Sequence, residues 1–190
     1  DIDNPALGYS RVFKAGRYQN ISSLSYSIGT ADSWRNAGAH LGLDWSLEGI
    51  VSLTHTALTT VGEAKALTLG MSASYGYYLW GQGATSEEVM RTRGKPEDPR
   101  TAWSVGLYPF LEYVFNDTFS FRTVFGYFSF KNKMGRSSAW SLDKEASYQS
   151  VGLGTSVTRD IYIYPNVQFL PEDLDVDKTN FALSMDLNVF

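Results

Sequence analysis

Cysteine is absent from the 190-residue chain, which removes disulfides, thiol catalysis and cysteine-based metal sites together. With only two histidines as well, a dedicated transition-metal site is disfavoured. No run of about 18 apolar residues occurs, so no transmembrane helix is expected. Excess positive charge is missing too. Lys+Arg 16 against Asp+Glu 20 gives a net charge of −4, which leaves no nucleic-acid footprint. A phosphate loop is also lacking: Gly152 and Gly154, with Gly42, read as inward small residues that make room, because no helix follows them. No cofactor is expected. A chain beginning at Asp1 reads as mature or trimmed, so the lack of an export signal is uninformative.

What the chain has in quantity is aromatic residues, at 15%, and glycine, at 17 residues. The stretch Thr101–Lys131 shows how they are used. On its first arm Trp103, Val105, Leu107, Leu111, Tyr113 and Phe115 alternate with positions that include Ser104, Gly106 and Glu112. On its second, Phe119, Phe121, Phe125 and Tyr127 alternate with Ser120, Arg122 and Gly126. A period of two means β-strand, and Asn116-Asp117-Thr118 between the arms means hairpin. Register follows from the faces. A three-residue loop sets Phe115 opposite Phe119, Tyr113 opposite Phe121 and Glu112 opposite Arg122. A two-residue loop would set Glu112 against Phe121 and mix the faces. The three-residue loop therefore predicts one apolar, aromatic face and one small, polar face with a matched ion pair. Each arm is about 13–15 residues, against roughly 5–6 for a soluble strand and 9–11 for a tilted bilayer crossing.

The same alternation recurs along the chain, which reads as one domain over residues 1–190. Residues 1–20 are either a lead-in segment or a first strand. Strands are expected at Ile21–Thr30, Ala37–Leu47, Val51–Thr59 and Ala66–Trp80. After the hairpin they return from Val151 to Val157, from Ile161 to Phe169, and from Thr179 to Phe190. Thr158-Arg159-Asp160 fits a second three-residue loop, with Val157 opposite Ile161. His55 shares the parity of Val51 and Leu53 and would face the apolar side unless a bulge intervenes. Pro109 and Pro165 each remove a ladder donor, which predicts a bulge or a weakly paired position. Residues 81–100, 132–146 and 171–178 read as long polar loops. Long and short connections thus alternate, the layout of a transmembrane β-barrel.

On these alternating arms, the aromatic ends (Trp45, Trp80, Trp103, Tyr113, Phe115) and the final Phe190, the chain resembles a bacterial outer-membrane β-barrel. Phe190 falls on the polar parity with Ser184, Asp186 and Asn188, a departure from the usual pattern of such families. The resemblance is one of class and spans about residues 20–190. It implies an all-β, closed, antiparallel up-and-down barrel of about ten strands, with eight as the alternative. It also implies a Gram-negative outer-membrane location, contact with the bilayer and lipopolysaccharide, and insertion by the barrel assembly machinery.

The expected function is passive: a narrow, porin-like channel, or a structural or surface-interacting membrane protein. The lumenal polar network is expected to comprise Glu112, Arg122, Asp44, Asp186 and His40. Glu112 and Arg122 form either a salt bridge filling a narrow interior or a selectivity element. One alternative is a barrel enzyme, a lipid or peptide hydrolase or acyltransferase using His40. His40 and Asp44, four apart on one strand, would lie about 13 Å apart and out of contact. The other is a soluble β-barrel with an apolar ligand inside, which predicts large apolar residues on the inner face. Arg91, Arg93, Lys95 and Arg100 in the 86–100 loop are candidates for lipopolysaccharide phosphates.

Overall fold

A computed structural model describes residues 4–39, 42–62, 66–81, 83–126, 128–136, 141–145, 148–158 and 161–187, without the side chains of residues 186 and 187. The strands are β1 (Ala6–Ala15), β2 (Tyr18–Ile28), β3 (Leu47–Val61), β4 (Leu67–Trp80), β5 (Thr101–Val114) and β6 (Phe119–Val124). They continue as β7 (Phe128–Lys133), β8 (Leu142–Lys144), β9 (Gln149–Ser156), β10 (Ile161–Phe169) and β11 (Asn180–Leu187). Two helices interrupt them, α1 (Asp32–Arg35) and α2 (Ser86–Arg93).

All the strands form one antiparallel, up-and-down sheet along the path β1-β2-β3-β4-β5-β6-β9-β10-β11. β7 pairs with β5 and β8, off that path. The sheet is not closed: β1 and β11 are its two ends. The connections from β1 to β2, β3 to β4, β5 to β6 and β9 to β10 are short and meet one rim, and the longer connections meet the other. The first turn is the tightest. Ala15 pairs with Tyr18, and Gly16 supplies the left-handed conformation at φ 61° that a side chain would resist.

Hydrogen bonding reproduces the register read from the hairpin. Glu112 pairs with Arg122 and Tyr113 with Phe121, and the Phe115 N–H donates to the Phe119 carbonyl at 3.0 Å. Asn116 Oδ1 closes the loop by accepting from the Thr118 and Phe119 N–H groups, each at 2.9 Å. Val157 N–H likewise donates to Ile161 O at 2.9 Å.

The two prolines act differently. At Pro109 the opposing strand bulges: Phe110 pairs with Val124, but Leu107 pairs with Phe128, so the register shifts by one residue between them. The extra residue switches parity, which brings Phe128 and Phe130 onto the apolar face with Val105 and Leu107. Around Pro165 the β9–β10 offset is unchanged, while the pairs at Tyr164 and Pro165 drop out. That is a weakly paired position, not a bulge.

Three expectations are corrected. The range 132–146 is not only a loop, since it carries β8, whose Leu142 pairs with Asn132 and Lys144 with Phe130. The described residues among 37–46 are not a strand; they are turns and coil between α1 and β3, which begins at Leu47. The alternation of Ala39, Leu43 and Trp45 has another origin, since Trp45 is buried in a rim cluster at 3% exposure. Losing that strand leaves nine along the path instead of ten. The segment 81–100 is not simply an exposed loop either. It carries α2, opened by a capping box in which Thr85 Oγ1 accepts from Glu88 N–H and the Glu88 carboxylate accepts from Thr85 N–H. It ends at Gly94, φ 59°. Thr85, Glu88 and Gly94 are the residues this start and stop require.

Burial along the wall is inverted relative to a water-soluble sheet. Leu7, Leu24, Leu53, Met71, Tyr77, Leu153 and Leu183 are all exposed. Ser120, Ser129, Tyr164 and Asn166, on the polar face, are buried. Among the described residues no second layer covers that face, so the sheet must curl over it. Tyr162 on β10 reaches Glu112 on β5 at 3.3 Å, although three strand spacings, about 14 Å, separate those strands on a flat sheet. The polar face is therefore concave.

Candidate functional site

The concave face is organised by transverse rows, because residues paired across an antiparallel ladder share a face and a height. One row reads Thr60–Thr68–Glu112–Arg122–Gly152–Asn166–Ala182. Small residues occupy its ends. Glu112, Arg122 and Asn166 occupy its middle, with Gly152 between the last two.

Glu112 and Arg122 lie opposite each other in the ladder, yet their charged ends do not form an ion pair among the described contacts. Glu112 Oε1 accepts from the Tyr162 hydroxyl at 3.3 Å, and that hydroxyl also lies 2.9 Å from Ser120 Oγ. The Arg122 guanidinium turns to two rings, with its central carbon 5.9 Å from the Phe110 centroid and 5.6 Å from that of Tyr164. Cation–π contacts at such distances contribute about 0.5–2 kcal/mol each, more as water is excluded. Tyr164 Oη donates to the Arg122 carbonyl at 3.1 Å, which ties β10 back to β6.

Glycines make this crowding possible. A Cβ on Gly154 would lie 1.8 Å from Tyr162 Oη, and one on Gly70 would lie 2.1 Å from the Phe110 ring. Two polar atoms in the row stay without a protein hydrogen-bond partner: Arg122 Nε and Asn166 Oδ1, both buried. Asn166 uses its amide nitrogen, which donates to Tyr164 O at 3.2 Å. A buried donor and acceptor left open cost free energy. They stand on either side of Gly152, about two strand spacings, or ~10 Å, apart at the backbone.

The other residues expected in this network lie elsewhere or beyond description. Asp44 is exposed in the coil before β3, where its carbonyl accepts from Ala84 N–H at 2.9 Å; it is not on the wall. Asp186 pairs with Tyr162 in register, but its side chain lies outside the described residues, as do His40 and the end of the last strand including Phe190. Gly42 is a left-handed loop residue, φ 66°, not an inward wall position. Phe110, Tyr162 and Tyr164 are the members that sequence reading missed. Their parity was visible, but aromatic residues on the small, polar side invite no attention until curvature brings β10 over β5.

The aromatic ends divide in a similar way. Tyr113 and Phe115 are exposed at the short-turn rim and meet edge-to-face with centroids 5.2 Å apart. Trp103 sits toward the opposite rim, 6.2 Å from the Tyr75 ring. Trp80 is half-buried and donates from Nε1 to Thr101 O at 2.7 Å. Trp45 belongs to none of these, being buried beneath Arg100 with the guanidinium carbon 5.2 Å from its ring.

That rim cluster is a second polar centre. Asp98, 1% exposed, and Arg100, 5% exposed, form a forked pair with Nη2–Oδ2 2.6 Å and Nε–Oδ1 3.0 Å. Arg100 Nη1 donates to Ala84 O at 3.0 Å. Burial pushes the Asp98 carboxyl up, but hydrogen bonds from the Arg100 side chain, the Arg100 N–H and Ser86 outweigh it and hold it below its usual range. Arg100 is thus occupied, and of the loop cations considered for phosphate only Arg91 and Lys95 are exposed. Outside this pair, Glu97 bridges Lys133 at 3.1 Å and Arg136 at 2.9 Å, and Asp143 meets the same two cations at 3.3 and 2.9 Å. The network fastens the α2 segment to the β7–β8 hairpin.

His55 poses the opposite problem. The β2–β3 and β3–β4 registers run through it without a bulge, so it stays on the apolar face, exposed. Ser22 Oγ lies 2.9 Å from its Nδ1. Arg11 pairs with Ser22 in turn, so a polar stripe Arg11–Ser22–His55 crosses three strands at mid-height.

Among the described residues, no group of three or more His, Asp or Glu side chains is placed to hold a metal ion. No protein-family model matches the chain, and no curated protein matches it.

Proposed function

We propose that the chain is the wall of a β-barrel of the bacterial outer-membrane type, closed in the bilayer around a narrow polar lumen, with a passive role as a small channel. The observation that carries this reading is the inverted burial. Fully burying a Leu is worth about 1.5–3 kcal/mol, and the convex face leaves Leu53 at 50%, Leu153 at 57% and Leu183 at 72% exposure. In water that surface is a large liability. Against hydrocarbon it is the stabilising term, and the concave serines, threonines and glycines face enclosed water. Strands of 14 and 15 residues in β3, β4 and β5 exceed what a bilayer crossing needs. A soluble barrel holding an apolar ligand would need the reverse polarity.

The row Glu112–Arg122–Asn166, with Tyr162 and Tyr164 folded across it, is the constriction on this reading. Arg122 supplies one positive charge there and Glu112 one negative, so the row narrows the lumen without a net charge preference. Two experiments test the proposal. The protein should need detergent to stay dispersed; free solubility in plain buffer would end the membrane reading. In planar bilayers it should give small single-channel steps. Arg122→Ala should enlarge them and, by leaving Glu112 uncompensated, shift selectivity toward cations, whereas silence over many insertions would remove the channel and leave a plugged barrel.

A further inference from the structure

We infer that the sheet is completed by a β-strand of alternating apolar and small residues donated by a second, different polypeptide, lying between β1 and β11 and antiparallel to both. This rests on the membrane-barrel reading above. Nine strands lie along the hydrogen-bonded path, with every step antiparallel. Nine is odd, so β1 and β11 run in the same direction. Among the described residues each pairs on one side only, β1 with β2 and β11 with β10. β1 is exposed at all ten of its positions. Hydrocarbon offers no partner to an open edge, and each unmet N–H or C=O there costs several kcal/mol.

Strand direction discriminates between the possible occupants. Direct pairing of β1 with β11 would be parallel, unlike every other step in the sheet. A second copy inserted the same way up would offer its β11 to β1, again in parallel. Its β1 would be antiparallel only if its long loops emerged on the opposite side of the membrane. A single strand running in the sense of β2 and β10 makes both junctions antiparallel. It also brings the ring to ten, an even number, as in single-chain bacterial barrels.

The chemistry of this strand follows from the two edges. Its outward positions lie beside Leu7, Tyr9 and Phe13 on one side and Phe181, Leu183 and Met185 on the other, so they are apolar. Its inward positions lie beside Gly8 and Ser10, and Ala182 and Ser184, so they are small or polar. Arg11 breaks the outward pattern. It is exposed at mid-height, with its guanidinium carbon 5.9 Å from the Phe13 ring, and it heads the stripe through Ser22 and His55. An acidic residue on the donated strand at that level answers it. About 9–11 residues suffice for the crossing.

Because the chain has no cysteine, introduced thiols report without ambiguity. With the protein folded in detergent micelles, Tyr9→Cys is combined in turn with Phe181→Cys, Leu183→Cys and Met185→Cys. A strand in the seam holds such pairs two ladder spacings apart, about 10 Å, beyond the ~7 Å between Cα atoms that a disulfide tolerates. A synthetic ten-residue peptide of alternating Leu and Ser, carrying one central Glu and one Cys, should then form a disulfide with the Tyr9→Cys and the Leu183→Cys single variants. It should not react with Met71→Cys, which lies on β4 inside the sheet. Replacing the peptide's Glu by Lys should weaken labelling several-fold. A direct intramolecular disulfide in any double variant would overturn the inference in favour of parallel closure. A disulfide linking two copies would overturn it in favour of self-association, and indifference of both edges to the peptide would overturn it outright. Failure of the membrane reading shows separately, as solubility without detergent.

Discussion

Val89 and Leu53 are both aliphatic, yet the molecule treats them in opposite ways. Val89, on α2 at the long-loop rim, is 0% exposed, while Leu53, midway along β3, is 50% exposed. Around Val89 the chain packs as a water-soluble protein does: Trp45 and Leu47 inside, Asp98 and Arg100 paired and buried, charged residues outside. Around Leu53 the order is reversed, with Thr54 and Thr56 on the concave side and leucines out. On the membrane reading proposed above, one chain meets two solvents, and the change falls near the ends of β3, β4 and β5. Apolar side chains at the rim must find one another because water surrounds them. On the wall, under that proposal, hydrocarbon takes the place of such partners.

The sharpest way to break this comparison is at Arg100. Arg100→Met leaves Asp98 buried and uncompensated, and removing one partner of such a pair typically costs about 3–5 kcal/mol. The loss should be confined to the rim, read as faster hydrogen exchange of residues 84–100 with little change along β3 and β4. Adding Asp98→Leu to Arg100→Met should recover most of it. Collapse of the whole sheet in the single variant would mean that rim and wall are one cooperative unit.

Next comes the wall itself. Leu53→Arg should destabilise the protein by about 2–4 kcal/mol when it is folded in a bilayer, the range for a cation near the membrane midplane. A surface cation in water would cost little, so a neutral result by urea titration in vesicles would place Leu53 against water. A smaller effect is expected from Gly152→Ala. The new methyl would sit 2.2 Å from the Pro165 carbonyl oxygen, and such overpacking costs about 1–3 kcal/mol. Gly62→Ala is the useful contrast. Nothing lies within 4 Å of a Cβ there, so any loss comes from its φ of +85° alone.

The two regions also differ in how far the sequence discloses them. Wall strands announce themselves by alternation, and the 115–119 hairpin yields its register because only one loop length keeps Glu112 off Phe121. The rim hides. Leu43, Trp45 and Leu47 alternate by coincidence, and period two alone cannot separate a strand from a coil that buries every second side chain. Its better signals were the capping box Thr85–Glu88 and the stop at Gly94, masked by the surrounding charges. The polar row was half legible. Pairing put Glu112 opposite Arg122, but the choice of Tyr162 and the two rings over a direct ion pair depends on curvature, which no local pattern encodes. Parity after Phe125 was lost for a simpler reason: one bulged residue opposite Pro109 inverts the alternation through the rest of that arm, β7.

The smallest expected effect separates exposed from buried charge within the rim. Glu97 is held below its usual range first by the hydrogen bond from Lys133 and then by the Arg136 charge. A carboxyl whose folded pKa is lowered adds stability that is fully present above its unfolded value, about 4.3, and is lost as pH falls through the lower, folded value. The rim should therefore soften on acidification below about pH 4, and Glu97→Gln should remove part of that dependence while changing neutral-pH stability little, because exposed ion pairs contribute little. Salt should tell the two acids apart. Raising ionic strength to about 1 M shortens the screening length to roughly 3 Å, which erases the contribution of Glu97 and leaves that of buried Asp98. The measurement is the thermal midpoint of the rim in micelles from pH 6 to pH 3, at low and high salt, for the parent and Glu97→Gln. If acid stabilises the rim, or salt flattens the whole pH response including the part owed to Asp98, the pair Asp98–Arg100 is not shielded from water, and the rim is not the dry core that its contrast with the wall requires.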